Sequence, residues 1–349
     1  MELSTAKRHE SDFIKSLTAA QIEACVHRIL GDGVTVLTAT EITMGLFNTT
    51  FRVELADGRR CALRVGPGEA PEVFSNERHL MRREHSLTPH LAVIAPLLPH
   101  VLGSDFTGTV LSRDFVLMDW MAGDNWDEVK GTLSAEENDT LWRELGTLVK
   151  QIHATVGTHF GPPSPEPPCR TWSAVQVRCA RGLEDDAVRF GQEVARFTRF
   201  RRCVELAAPV LDEITVPHLL HGDPWQKNVL IRKDASGVRI VGLLDHDRGL
   251  WGDPWAEWVF QNKYFKSTLW ESSAMEDFAP AFWETYGPRP TDESSLLRAK
   301  IYHGLLCAQI ILEAWRYHWD GRLFMQMLDR VCGELETQLG TASVEVANH

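Results

Sequence analysis

The chain is short of several features, and each shortage closes a class of protein. Its seven cysteines, Cys25, Cys61, Cys169, Cys179, Cys203, Cys307 and Cys332, form no CxxC pair. An odd number without paired spacing indicates neither a zinc site nor a disulfide framework, so free thiols in a reducing cytoplasm are expected. No apolar run approaches the roughly eighteen residues of a membrane span; the longest, near residues 91–102, is broken by Pro96 and Pro99. The opening MELSTAKRHESDF lacks the apolar core of a signal peptide. Internal repeats and low-complexity tracts are missing too. Positive charge is in deficit, with 36 Lys and Arg against 48 Asp and Glu and a formal net charge of −12. Phosphate backbones attract basic faces, so broad nucleic-acid binding is excluded. The expectation is a cytoplasmic protein with no membrane and no nucleic-acid partner.

What is present is ordinary in bulk. Hydrophobic residues make up 44% and charged residues 24%, which are globular values. A length of 349 residues is long for a single core and predicts two lobes. Most of the acidity lies late: residues 1–120 carry 12 basic against 15 acidic side chains, the remainder 24 against 33. That suits a cationic substrate, and it equally suits a solvated surface.

Helical spacing of apolar residues covers 14–30, and three strands follow at 34–42, 49–55 and 60–65. Asp57-Gly58 is a hairpin signal between the last two. The loop MGLFNTT, with Gly45 and Asn48 at its tip, has two readings: an ordinary hairpin loop, or a cover whose N–H groups meet phosphates. Arg64 lies on the third strand, on the opposite face from Leu63 and Val65. Its fork matches phosphate oxygens, and an outward surface arginine is the alternative. A helix over 71–84 contains Glu77, chosen as the partner that would hold Arg64, with Glu72 and Glu84 as rivals. A capping box, Ser134 with Glu137, starts a helix over 134–155. Further helices are read at 171–190, 193–214, 273–286, 292–317 and 322–339. GPPSPEPP at 161–168 is a stiff surface loop, and Arg178, Arg181, Arg199, Arg201 and Arg202 make a solvated basic patch.

The informative stretch is LLHGDPWQKNVLIRKDASGVRIVGLLDHDRGLWGDPWAEW, residues 219–258. Two β-branched runs, 229–232 and 239–244, flank the turn Asp-Ala-Ser-Gly, so the loops at their far ends meet at one rim. One loop holds His221, Asp223 and Asn228; the other holds Asp245 and Asp247. Phosphoryl transfer to an alcohol needs an aspartate for the hydroxyl proton, and an aspartate and an asparagine to hold magnesium. Asp223 and Asn228 are five apart, the separation found in kinase catalytic loops. His221 and Gly222 read as scaffolding, the imidazole bonding loop carbonyls and the glycine allowing a tight turn.

HGDPWQKN followed by LLDHD resembles the aminoglycoside phosphotransferase family, which also includes choline, fructosamine and macrolide kinases. The similarity runs from about Val34 to Glu257 through ELADGRRCALRV, FVLMDW and the catalytic stretch, in the family's order. It implies an α+β, bilobal, protein-kinase-like fold with a small β-rich N-lobe (1–119) and a large, mainly helical C-lobe (120–349). It implies ATP or GTP as donor and Mg2+ as cofactor. By this resemblance Asp223 is the base, supported in the catalytic loop by His221, and Asn228 and Asp245 hold the metal. Asp247 either joins them or caps the following turn. Arg64, Glu77, Gly45 and Asn48 would contact the nucleotide phosphates or hold their contacts, and Asp119, Trp120 and Met121 would meet the base. Two departures stand out: Arg64 replaces the usual lysine, and Glu257-Trp258-Val259 replaces the usual Asp-Leu-Ala, so Glu257 supports the catalytic loop with a longer arm.

The expected acceptor is a small-molecule hydroxyl on an aminoglycoside, nucleoside, peptide or macrolide antibiotic, phosphorylated for resistance or self-protection. A metabolic kinase acting on choline, a sugar or an amino alcohol is the alternative, and a nucleotide-binding pseudoenzyme the third reading. The assembly is expected to be a monomer or homodimer. Trp251, Trp255, Trp258, Trp270 and Trp283 read either as stacking walls or as core, and Glu257, Glu276, Asp277 and Glu313 as acids available to a cleft.

Overall fold

The structure is a computed structural model that describes residues 1–7, 13–43, 45–67, 72–257, 260 and 279–340. Its first part is a sheet of β1 (Glu2–Ser4), β2 (Val36–Ile42), β3 (Thr49–Leu55), β4 (Arg60–Val65), β5 (Val101–Asp105) and β6 (Phe115–Asp119), in the order β1-β2-β3-β4-β6-β5. Only β1 runs parallel to its neighbour. Strand alternation decides what each face does. Phe51, Val53 and Leu55 on β3 and Cys61, Leu63 and Val65 on β4 are buried on one face. The helix α1 (Ala19–Leu30) covers that face with Ile22, Cys25 and Val26, after a capping box between Thr18 and Gln21. Each large side chain buried there contributes about 1.5–3 kcal/mol. Arg64 necessarily points the other way.

The expected helix over 71–84 is two shorter pieces. A 3-10 turn at Ser75–Glu77 comes first, His79 adopts a left-handed φ of 62°, and α2 (Leu80–Leu87) begins anew. The kink turns residues before and after it toward different partners, with consequences for Glu77.

The chain leaves β6 at Asp119, and β7 (Asp124–Asn125) already pairs with a strand of the second part. We take the residues between them as the crossing between lobes. The side chains do not divide at one sequence position: Phe74, Leu87, Leu91 and Ile94 precede the crossing yet pack into the larger core.

That core is built from α3 (Trp126–Val129), α4 (Ala135–His153), α5 (Trp172–Arg189), α6 (Val194–Leu206) and α7 (Ala208–Leu211), then the later helices α8 (Pro280–Tyr286), α9 (Glu293–Tyr317) and α10 (Arg322–Gln338). The Ser134–Glu137 capping box is present, and Leu141, Leu145, Val149 and Ile152 form the buried stripe of α4. The segment 193–214, expected as one helix, is α6 and α7, divided at Ala207 just before Pro209, which cannot donate to a continuing helix. The expected helix over 273–286 is described from Pro280; residues 273–278 lie outside the described residues. The arginine patch is largely neutralised: Arg181 meets Glu205, Arg199 meets Glu336 and Arg201 meets Glu184.

Between α7 and α8 lie β8 (His218–Leu220), β9 (Val229–Asp234), β10 (Gly237–Leu243) and β11 (Leu250–Gly252). β9 and β10 form the expected antiparallel hairpin, closed at Asp234–Gly237, and β8 pairs with β11. Four chain segments therefore end at one rim.

Candidate active site

The loop between β8 and β9 is held from beneath by Glu257. This carboxylate, 1% exposed, accepts the backbone N–H of His221 at 2.7 Å and that of Gly222 at 3.1 Å. His153 Nε2 lies 3.3 Å from it. The longer glutamate arm thus reaches the loop from below. Gly222 has φ 90°, and a Cβ there would stand 2.4 Å from the carbonyl carbon of Arg248. Only glycine fits, because the loop that carries Asp223 crosses the backbone of the second acidic loop at that point.

His221 is wholly buried, and its Nδ1 accepts the N–H of Asp223 at 3.2 Å. It was expected to bond loop carbonyls; instead it caps an amide, which places its ring proton on Nε2 and keeps it neutral. Burial, with His246 nearby, pushes its pKa down to about 3, in keeping with that role. His221 positions the loop and has no access to a substrate. Asp223 is partly exposed at the rim. Asn228 donates through Nδ2 to the Asp223 carboxylate at 2.6 Å and to its carbonyl at 3.0 Å. The two loops are tied at their necks by Leu244 N–H donating to Asn228 O at 2.8 Å.

In the second loop Asp245 takes a left-handed φ of 63°, uncommon for a non-glycine residue. Arg64 meets it there. Its Nη1 reaches Glu84 Oε1 and Oε2 at 2.6 and 2.7 Å, its Nη2 reaches Asp245 Oδ1 at 2.8 Å, and Asp247 Oδ2 lies at 3.8 Å. The partner of Arg64 is therefore Glu84 and not Glu77. The left-handed turn at His79 explains the exchange, since it separates Glu77 from the face of α2 that looks onto the sheet. Glu77 instead pairs with Arg316 at 2.5 and 2.9 Å and lies 3.6 Å from Arg248.

Burial works against the charge on Arg64, but Glu84, Asp245 and Asp247 outweigh it and raise its pKa. Burial also raises the Glu84 carboxyl, against the pull of Arg64. Asp247 is pushed well up by burial, by Asp245 and by Glu84. Three carboxyl groups converge on Arg64, and a cation placed among them would favour their charged forms. Oxygen atoms of Glu84, Asp245 and Asp247 lie within 4.8 Å of one another, a donor set that suits a hard divalent cation. Asp245 and Asp247 would be its protein ligands, because both oxygens of Glu84 are taken by Arg64, which occupies only Oδ1 of Asp245. Asn228 has its amide nitrogen on Asp223, so only its Oδ1 is available to a cation. The residues fit the group.

The other expected site residues are placed as follows. Gly45 and Asn48 sit in the loop between β2 and β3, whose Leu46 carbonyl accepts the hydroxyl of Tyr317 at 2.6 Å. Asp119 is exposed beside His100 Nδ1 at 3.2 Å. Trp120 donates its backbone N–H to Arg60 O at 3.1 Å, with the Arg52 guanidinium 5.8 Å from its ring. Met121 Cε lies 3.3 Å from where a Cβ on Gly242 would stand. Trp251 and Trp255 are buried core, at 4% and 8% exposure, and Trp283 packs under Arg289. Trp258, Val259, Trp270, Glu276 and Asp277 lie outside the described residues. Arg248, Arg316 and Tyr317 were not picked out from sequence. For Arg248 a signal existed, a charge directly after Asp247 within the acidic loop; for the other two there was none, since they end an apolar helix.

The chain matches the phosphotransferase enzyme family over residues 38–296. No curated protein matches it. Among solved structures, it is similar to a thermostable mutant of aminoglycoside phosphotransferase APH(4)-Ia in its apo form, with TM-score 0.62 and 17% identity over 89% of this chain and 98% of that one. A variant of that enzyme in ternary complex with AMP-PNP and hygromycin B gives TM-score 0.61 and 17% identity over 93% and 100%. A protein from Thermobifida fusca, proposed to be a fructosamine-3-kinase, gives 0.57 and 17% over 89% and 99%. At these identities the likeness speaks for the fold, which is protein-kinase-like, with a β-sheet in its first part and helices in most of its second. With the match spanning most of its length, the chain belongs to the phosphotransferase enzyme family.

Proposed function

We propose that this phosphotransferase moves the γ-phosphate of ATP or GTP to a hydroxyl of a small antibiotic, in the class of aminoglycosides, nucleosides, peptides or macrolides. The observation that carries the reading is one arrangement. Asp223, fixed by Asn228 at 2.6 Å, stands on one arm of a hairpin whose other arm presents Asp245 to Arg64 on the opposing lobe. Asp223 orients the acceptor hydroxyl and takes its proton as the new P–O bond forms and the bond to the β-phosphate oxygen breaks. Arg64, held by Glu84, keeps a fixed positive charge for the donor's phosphates. A Mg2+ ion held by Asp245 and Asp247 would neutralise phosphate charge in this reaction. Asp119, Trp120 and Met121 offer the base an edge to dock against, and Gly45 and Asn48 belong to the loop above the phosphates.

The test is a product assay with ATP and with GTP, each in Mg2+, against a panel of antibiotics and simple alcohols. Phosphorylation of an antibiotic is the expected result. Turnover confined to choline, sugars or amino alcohols would replace this reading with that of a metabolic kinase. Tight nucleotide binding without any acceptor would leave a pseudoenzyme.

A further inference from the structure

The loop between β2 and β3 does not float. Tyr317, at the end of α9 in the other lobe, donates its hydroxyl to Leu46 O at 2.6 Å. Burial pushes that hydroxyl up to about 12, so it remains a donor throughout the physiological range. Beside it the Arg316 guanidinium is boxed by aromatic rings: Phe74 at 4.2 Å, Phe13 at 4.5 Å, Tyr317 at 4.7 Å and Phe47 at 6.0 Å. Phe47 comes from the loop, and its ring meets that of Phe13 at 5.6 Å. The box therefore gathers the N-terminal segment, the loop, the 3-10 turn and α9 around one cation, at 8% exposure. Desolvated cation–π contacts of this kind are among the stronger ones.

The cluster continues inward. Arg316 forms a two-point pair with Glu77, and Glu77 lies 3.6 Å from Arg248, the residue after Asp247. One unbroken set of contacts runs from the backbone of the loop to the backbone of the acidic rim. An ordinary hairpin loop would have no reason to be anchored at both levels.

We propose that Tyr317 and Arg316 are positioning residues that clamp residues 45–48 down over the phosphate site and set the height of that loop above the acidic rim. The role in turnover rests on the kinase reading above; the clamp itself does not.

The clamp is tested with Tyr317→Phe, which keeps the ring against Phe13 and Trp319 and removes only the hydrogen bond to Leu46. Arg316→Lys is the second variant, keeping the charge for Glu77 without the flat face that stacks. Circular dichroism and the melting midpoint establish that each is folded. Chymotrypsin cleavage after Leu46 or Phe47 reads the loop directly, and in Tyr317→Phe it is expected to be about five-fold faster, as loss of one net hydrogen bond implies. The nucleotide KM is expected to rise by a similar factor while the acceptor KM stays within two-fold, a split that general loosening would not give. Cleavage and nucleotide KM within two-fold of wild type in both variants would overturn the clamp. A wild-type protein that turns over no nucleotide would sink the kinase reading instead, and the cleavage rates would still decide whether the clamp exists.

Discussion

Arg64 and Asp245, 181 positions apart in the chain, are joined by a 2.8 Å hydrogen bond, while the other end of the same guanidinium holds both oxygens of Glu84. The bond fastens the sheet to the acidic loop. It also makes Arg64 the cation shared by Glu84 and Asp247, both largely buried, with Arg248 acting on Asp247 as well.

Arg64→Met should therefore destabilise the fold by about 3 kcal/mol, because it removes the guanidinium that both oxygens of buried Glu84 and one of Asp245 rest on. Arg64→Lys should cost less, about 1 kcal/mol, since a single ammonium keeps the charge but cannot hold Glu84 at two points and Asp245 at a third. Urea titration measures both. An Arg64→Met midpoint equal to wild type would show that the cluster does not depend on this arginine.

Asp223→Asn should lower turnover by about 10²–10⁴-fold, the usual contribution of a positioned base, and leave nucleotide affinity within a few-fold. Asp245→Asn should instead raise the Mg2+ concentration needed for half-maximal nucleotide binding. Turnover surviving within a few-fold in the first variant would mean that another group takes the proton. Unchanged metal dependence in the second would remove Asp245 from the metal site.

Glu257→Ala leaves the N–H groups of His221 and Gly222 buried without an acceptor, at a cost of about 1–3 kcal/mol. Since both belong to the loop that carries Asp223, kcat should fall with stability. Glu257→Asp separates the two effects: its carboxylate is one methylene short, so the fold should recover more than the turnover. Equal recovery of both would indicate that the loop does not need the full arm.

Burial lowers the pKa of His221 to about 3 and that of His303 to about 4. As pH falls below about 6.5 the unfolded chain takes up these protons while the folded chain does not, so stability is lost on acidification. Each histidine contributes up to about 1.4 kcal/mol per pH unit down to its folded pKa. Asp247, raised by burial, acts in the opposite sense, so the informative quantity is a difference between proteins. His303→Gln, far from the acidic loops in sequence, should flatten the stability profile between pH 6 and pH 4.5 by about one proton. A profile parallel to that of wild type would mean that His303 is not buried neutral.

Much of the site is legible in the sequence. HGDPWQKN and LLDHD carry the hairpin and its two loops, because these depend on local turn chemistry and strand alternation; that the Asn228 amide turns back onto Asp223 is not legible in them. Strands β3 and β4 begin and end where alternation puts them. Glu77 was the wrong partner for Arg64 for a physical reason: nothing in VFSNERHL announces that His79 adopts a left-handed conformation, and without that kink a single helix would carry Glu77 toward the sheet. Tyr317 and Arg316 were invisible because their role depends on a contact between segments about 270 residues apart. Long-range contacts of that kind leave no periodic trace.

The hairpin of β9 and β10 has two unlike ends. One carries the acids and is tied by Leu244 to Asn228; the other, Asp234–Gly237, is exposed and held by its own Asp234 to Ser236. Chain length can therefore vary at the outer turn without shifting the rim, which makes it the natural place in this lobe for an inserted tag, a fluorophore or an evolutionary insertion.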